Sequence, residues 1–288
     1  MSKDLFGNEI IEDVLLRDKF IEPPFSILDT KGGNWQGRKK AWLSRGLKSE
    51  IGRNAKAYSC NNGQSIKYDY LPNIETGTSI FDPVLTELMY HWFCPDGGSI
   101  FDPFAGGSVR GVVAHYLGYK YSGIELRPEQ VESNREQALN ILPINNQPQW
   151  YIGDSDKLLN DAWADKFDFI FSCPPYADLE VYSDLPDDLS NMDYKDFLIK
   201  YQSIISKSLR LLKDNCYACF VVGEVRDKKG NYIGFVPDTI NAFKNAGFKY
   251  YNEGILLNPV GTAMIRASNS MKNQKLVKIH QNILVFKK

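Results

Sequence analysis

The sequence predicts an α/β protein whose mostly parallel sheet is covered by helices on both faces. Three observations point to it. From residue 82 onward, apolar runs of strand length alternate with stretches of helical spacing. Those runs are continuously apolar rather than alternating, and several end in glycine- or proline-rich turns.

The elements follow in chain order. Residues 1–76 are rich in Gly, Asn and Lys, and Pro23-Pro24 and Gly32-Gly33 break any long element there. They read as a basic, loop-rich N-terminal region with short helices, ahead of a main domain at 77–288. Asp82-Pro83 opens a helix carrying Leu85, Leu88, Met89, Trp92 and Phe93. A short strand at 99–101 ends in Asp102-Pro103-Phe104-Ala105-Gly106-Gly107, and 109–117 reads as the next helix. A strand over 119–126 closes at Glu125, Pro128 opens a helix through 139, and a third strand at 150–152 stops at Gly153-Asp154. The strand at 167–171 runs into Ser172-Cys173-Pro174-Pro175-Tyr176. A helix at 194–212, a strand at 217–222, a helix at 237–246 and strands at 250–257 and 282–286 complete the pattern.

Of the 288 residues, 43% are apolar, 24% charged and 13% aromatic, the makeup of a folded protein. No run approaches the roughly 18 apolar residues a membrane helix needs, and Met1-Ser2-Lys3-Asp4 does not begin an export signal, so a cytoplasmic protein is expected. The cysteines Cys60, Cys94, Cys173, Cys216 and Cys219 are odd in number in a chain long enough to bury a core, which argues against a disulfide framework. Cys216 and Cys219 read as one side of a buried strand, and His91, His115 and His280 are too scattered for a ligand set, so no metal is expected.

The net charge is −1, but its distribution is uneven. Residues 31–56 carry eight bases, one acid and the interleaved Trp35 and Trp42, while 262–288 carry six bases and no acid. Such segments suit a polyanion, and Trp35, Arg38, Lys39, Lys40, Arg45, Arg53, Arg266 and Lys272 are the candidate nucleic-acid contacts. A solvated basic face is the simpler alternative. Residues 178–196 hold seven carboxylates and one lysine, and the sequence assigns this stretch no role.

In a parallel sheet, ligands bind beyond the carboxyl ends of the strands. The glycines at 106 and 107 would let the backbone approach a ligand, and Asp102 could accept from an ammonium group. The turn lacks the Gly-Lys-Ser/Thr of a phosphate loop and the glycine spacing of a dinucleotide fingerprint. Glu125 is placed to bind ribose hydroxyls, and Asp154 to accept from an adenine amino group. The Pro174-Pro175 pair stops its strand, and its carbonyls could accept from an exocyclic amino group while Tyr176 stacks on the base.

Together these residues resemble the S-adenosylmethionine-dependent DNA amino-methyltransferases of adenine N6 or cytosine N4, in particular the phage and prophage modification methylases. Those enzymes carry an Asp-, Asn- or Ser-Pro-Pro-aromatic tetrapeptide. The resemblance covers about 77–288 and implies a Rossmann-like class I methyltransferase fold, with a mostly parallel seven-stranded sheet and an antiparallel last strand. It implies S-adenosylmethionine held by Phe81, Asp102, Phe104, Ala105, Gly106, Gly107, Glu125 and Asp154, and a flipped base held by Cys173, Pro174, Pro175 and Tyr176. The partner it implies is double-stranded DNA, with the protein acting as a monomer or homodimer and neither membrane nor metal involved.

Cys173 stands where the family has Asp, Asn or Ser, and a thiol is a poor hydrogen-bond partner, so the target base stays open. Three other readings also stand: a cytosine-C5 enzyme with Cys173 as nucleophile, an RNA amino-methyltransferase, and a nucleic-acid-binding protein with a decayed methylase domain.

Overall fold

A computed structural model describes residues 16–48, 81–160, 163, 166–175, 185, 187–227, 229–258, 260 and 263–288. The expected α/β fold is present. Its elements in chain order are α1 (Leu16–Phe20), β1 (Ile27–Asp29), α2 (Gly33–Ser44), α3 (Pro83–Phe93), β2 (Ser99–Asp102), α4 (Val109–Tyr116), β3 (Lys120–Glu125) and α5 (Pro128–Ile141). There follow β4 (Gln149–Ile152), α6 (Ser155–Leu158), β5 (Phe167–Ser172), α7 (Tyr194–Leu211), β6 (Leu212–Val222), α8 (Phe235–Asn245), β7 (Lys249–Leu257), α9 (Ala263–Lys272) and β8 (His280–Lys287).

The strand order is β1-β7-β8-β6-β5-β2-β3-β4. Every neighbouring pair is parallel except those that β8 makes with β6 and β7, so β8 is the antiparallel strand that the sequence placed last. Successive side chains point to opposite faces of a strand. Accordingly Phe169, Phe171, Cys219, Val221, Ile283 and Val285 join a core with α2, α3, α4 and α5. Ile170, Ala218, Phe220, Val222, Leu284 and Phe286 join a second core with α7 and α8. Burial on both faces is why these strands read as continuous apolar runs.

The structure corrects the sequence reading in three places. The sheet has eight strands among the described residues, not seven, because β1 adds in parallel to β7 through Ile27–Ile255, Leu28–Leu256 and Asp29–Leu257. Only Leu28 of its three residues is buried, so no periodicity announces it. The described part of the N-terminal region is consequently not a separate appendage: Leu28, Trp35, Trp42 and Leu47 belong to the main core. Finally, Cys216 and Cys219 do not share a face, since Cys216 packs on the α7–α8 side and the buried Cys219 on the other.

Helix α2 shows how this docking works. Its buried residues are Trp35 and Trp42, seven apart and therefore on one face. The Trp35 indole Nε1 donates to Asp82 Oδ2 at 3.2 Å and the Trp42 Nε1 to Glu87 Oε2 at 3.1 Å, while Arg38 pairs with Glu87 and Lys39 with Asp82. Both acids lie at α3, where Asp82 caps the helix by accepting from Val84 and Leu85 N–H groups.

Candidate active site

A cavity of about 580 Å³ opens at the carboxyl edge of the sheet, a size suited to a small-molecule site. The turn after β2 reaches it through Pro103, Phe104, Gly106 and Gly107, and the end of β3 through Glu125 between Ile124 and Leu126. Gly153 and Asp154 follow β4, Cys173, Pro174 and Pro175 follow β5, and Phe81 closes the α3 side. The structure therefore gathers the glycine turn, the two strand-end acids and the proline pair around one space. Tyr176 lies outside the described residues.

Gly106 has φ +52°, left-handed backbone that L side chains rarely adopt. Its N–H donates to Glu125 Oε2 at 2.9 Å, and its carbonyl accepts from Asn134 at 2.8 Å. The other Glu125 oxygen accepts from the backbone N and Nε of Arg127, each at 3.1 Å. Glu125 thus lies beside the turn, half committed to it and half to Arg127.

Asp102 does not fit the expectation that it meets a ligand's ammonium group. Its carboxylate is wholly buried and outside the cavity wall. Arg110 Nε of α4 lies 2.6 Å from Oδ2, which also accepts from the Tyr121 hydroxyl at 2.8 Å, while Oδ1 accepts from Ser172 Oγ at 2.5 Å and Phe104 N at 3.1 Å. With four donors on two oxygens, the carboxylate is an internal brace. The Arg110 fork donates further to the carbonyls of Phe104 and Ala105 at 2.7 and 3.0 Å, and its guanidinium lies 4.6 Å from the Phe81 ring centre. Burial alone would lower the Arg110 pKa, but Asp102, Tyr121 and Cys173 reverse this and raise it. Ala105 is likewise corrected: it is fully buried beneath the turn and does not line the cavity.

Asp154 caps α6 through Oδ1, which accepts from Asp156 N at 2.9 Å. Its Oδ2 is buried without a hydrogen-bond partner among the described residues, although Lys200 Nζ of α7 stands 3.0 Å away as an ion-pair neighbour outside hydrogen-bond geometry. Lys200 also donates to the Asp187 carbonyl at 3.0 Å. Part of the acidic stretch therefore has a place: Asp187, Asp188 and Leu189 form a cavity wall, with Asp187 paired to Lys157 and Asp188 capping the short 3-10 turn Leu189–Asn191. Sequence reasoning missed this wall because the lysines that neutralise it come from α6 and α7.

The candidate nucleic-acid contacts separate into groups. Trp35 is 2% exposed, and Arg38 and Lys39 are bound to Glu87 and Asp82, so these three dock α2 rather than face a polyanion. Arg45 lies over the Trp42 and Tyr116 rings and donates to the Tyr116 hydroxyl. Lys40, Arg266 and Lys272 are exposed, and Arg53 lies outside the described residues.

The residues present fit a nucleoside sulfonium. The Asp154 Oδ2, which accepts no hydrogen bond from the described residues, can take an amino hydrogen, Glu125 stands beside the turn for ribose hydroxyls, and Ile124, Leu126, Leu189 and Ile204 offer apolar walls for a base.

No protein-family model matches the chain, and no curated protein matches it. Solved structures with a similar fold include TrmN from Thermus thermophilus, with TM-score 0.48, 14% identity, and coverage of 72% of this chain and 49% of TrmN. A TehB-like SAM-dependent methyltransferase from Corynebacterium glutamicum aligns with TM-score 0.44 and 14% identity, over 74% of this chain and 90% of that one. The [4+2]-cyclase SpnF aligns with TM-score 0.47 and 16% identity, over 72% of this chain and 81% of its own. The chain spans about half the length of TrmN. Likeness at this level speaks to the fold alone, and a fold by itself names no reaction. What the chain itself shows is an α/β fold on a mostly parallel sheet whose β8 runs antiparallel between β6 and β7.

Proposed function

We propose that the protein is an S-adenosylmethionine-dependent DNA methyltransferase acting on the exocyclic amino nitrogen of a flipped adenine or cytosine. What supports the reading is the sharing of one cavity by Pro174 and Pro175 with Gly106, Gly107, Glu125 and Asp154. A proline pair serving only to end β5 would have no reason to border the space that the glycine turn opens onto.

Glu125, Asp154, Gly106, Gly107, Phe81 and Phe104 would hold the cofactor, whose sulfonium supplies an electrophilic methyl group when bound. Glu125 binds ribose hydroxyls and Asp154 an amino group, while Phe104, packed against Tyr201 and Phe220, keeps its side of the wall rigid. The lone pair of an aromatic amine is delocalised into its ring. The Pro174 carbonyl, which has no N–H beside it to compete, accepts one amino hydrogen and favours a more tetrahedral nitrogen. Holding that nitrogen in place contributes most of the rate. A base inside a duplex is out of reach, so the target is extruded into the cavity. The methylated nitrogen is strongly acidic and releases its proton to water.

A second reading has one observation in its favour: Cys173 lies within electrostatic reach of Arg110, whose positive charge would stabilise a thiolate, as a C5 methylation nucleophile requires. Nucleoside mass spectrometry of DNA from expressing cells separates the two. N6-methyladenine or N4-methylcytosine is the expected product. C5-methylcytosine, with activity abolished by Cys173→Ser, would transfer the assignment to the second reading. Unmodified DNA beside methylated RNA would overturn the choice of polymer.

A further inference from the structure

The cavity extends well beyond the cofactor residues. The glycine turn, Glu125 and Asp154 follow β2, β3 and β4, on one side of β5 in the sheet order. On the other side the same cavity is walled by Leu256 and Asn258 at the end of β7, Gln281 at the start of β8, and Thr30 and Lys39 from the N-terminal segment. Open α/β sheets bind ligands across such a switch in strand order, and a two-substrate enzyme needs room for both partners. Pro174 and Pro175, at the end of β5, stand between the halves.

The second half is built to hold a polar ring. Thr30 is fastened to the end of β7, donating from Oγ1 and N to the Leu257 carbonyl at 2.7 and 3.3 Å. Lys39 is held in place by Asp82, whose Oδ2 lies 3.0 Å from its Nζ and also accepts from Trp35. An ammonium already neutralised by a carboxylate is a poor phosphate contact, because the acid repels the incoming anion. It still has N–H donors for a neutral acceptor. Asn258 and Gln281 carry carboxamides, the side chains whose paired donor and acceptor match nucleobase edges. Leu85, Leu256 and the prolines supply flat apolar contact.

Building on the amino-methyltransferase reading, we infer that Thr30, Lys39, Asn258 and Gln281 form the acceptor subsite. Thr30 and Lys39 of the N-terminal segment then read the ring edge of the flipped base from inside the cavity. Lys39 donates to a ring nitrogen or carbonyl of the target, and the carboxamides choose which base enters.

The test uses the full chain with Lys39→Met, Asn258→Ala and Gln281→Ala, and Lys39→Arg as the conservative variant. Three quantities are measured: S-adenosylmethionine affinity by calorimetry, methyl transfer to unmethylated genomic DNA, and the identity of the methylated base. Retained cofactor affinity shows that each variant is folded. The expected result is cofactor affinity within about twofold of wild type, with kcat/KM for DNA lowered about tenfold or more, the loss typical of one charged hydrogen bond, and partial recovery in Lys39→Arg. Methylation at wild-type efficiency, or a parallel loss of cofactor affinity, would overturn the subsite while leaving the methyltransferase reading intact. A wild-type protein that binds cofactor yet methylates no DNA would overturn the reading, and the subsite with it.

Discussion

The buried Asp102–Arg110 pair offers the sharpest test of how the site is held. Asp102→Asn keeps the shape but leaves one acceptor oxygen in place of two, so only one of Ser172 and Tyr121 keeps its acceptor, and it strips the negative charge from a place where Asp102 is 0% and Arg110 4% exposed. Arg110 then remains as an unpaired buried cation, which costs about 3–5 kcal/mol. Against a total stability of about 5–15 kcal/mol, that is a large fraction. Urea unfolding would show it as a lowered midpoint at unchanged slope. The double variant Asp102→Asn/Arg110→Met removes the stranded charge and should recover most of that stability. It cannot restore the Arg110 bonds to the Phe104 and Ala105 carbonyls at 2.7 and 3.0 Å. The glycine turn would lose its brace, and cofactor affinity measured by calorimetry should fall about tenfold. A single variant within about 1 kcal/mol of wild type, or a double variant with full affinity, would refute the idea that the Asp102–Arg110 pair supports both the turn and the end of β5.

Three other outcomes are expected. Gly106→Ala places a side chain at φ +52° in open space, its nearest neighbour 4.0 Å away, so the cost is conformational, about 1–2 kcal/mol by chemical denaturation, with weaker cofactor binding as the turn shifts. His115 accepts from Tyr121 N–H at Nε2 and faces Asn146 at Nδ1; burial lowers its pKa, so it is neutral in the fold. The unfolded chain binds the extra proton first, and stability should therefore fall as pH drops from about 6.5, a slope that His115→Gln flattens in unfolding curves at pH 5 and 7. Replacing the exposed Lys40, Arg266 and Lys272 together should reduce the salt dependence of DNA binding by roughly 0.9 in log–log slope for each phosphate they neutralise, whereas Arg38→Gln should leave it unchanged, since that side chain is spent on Glu87.

Much of the molecule was legible in the sequence because local rules and the fold agree. Apolar runs at 99–101, 167–171 and 217–222 became β2, β5 and β6, and Pro83 and Pro128 opened the helices α3 and α5. The strand ends at Glu125, Asp154 and Pro174 border the cavity because every parallel strand delivers its carboxyl end to the same edge. The sequence by itself could not say which way a charge faces or what neutralises it. Asp102 looks like a ligand acid until Arg110, Tyr121 and Ser172 close around it. Trp35, Arg38 and Lys39 look like a polyanion surface until Asp82 and Glu87 claim them from more than forty residues away. The acids at 187 and 188 have no assigned role in the sequence until they form a wall of the cavity. Periodicity and turn chemistry are properties of neighbours along the chain. Charge pairing and cavity walls depend on partners that only the folded sheet brings together.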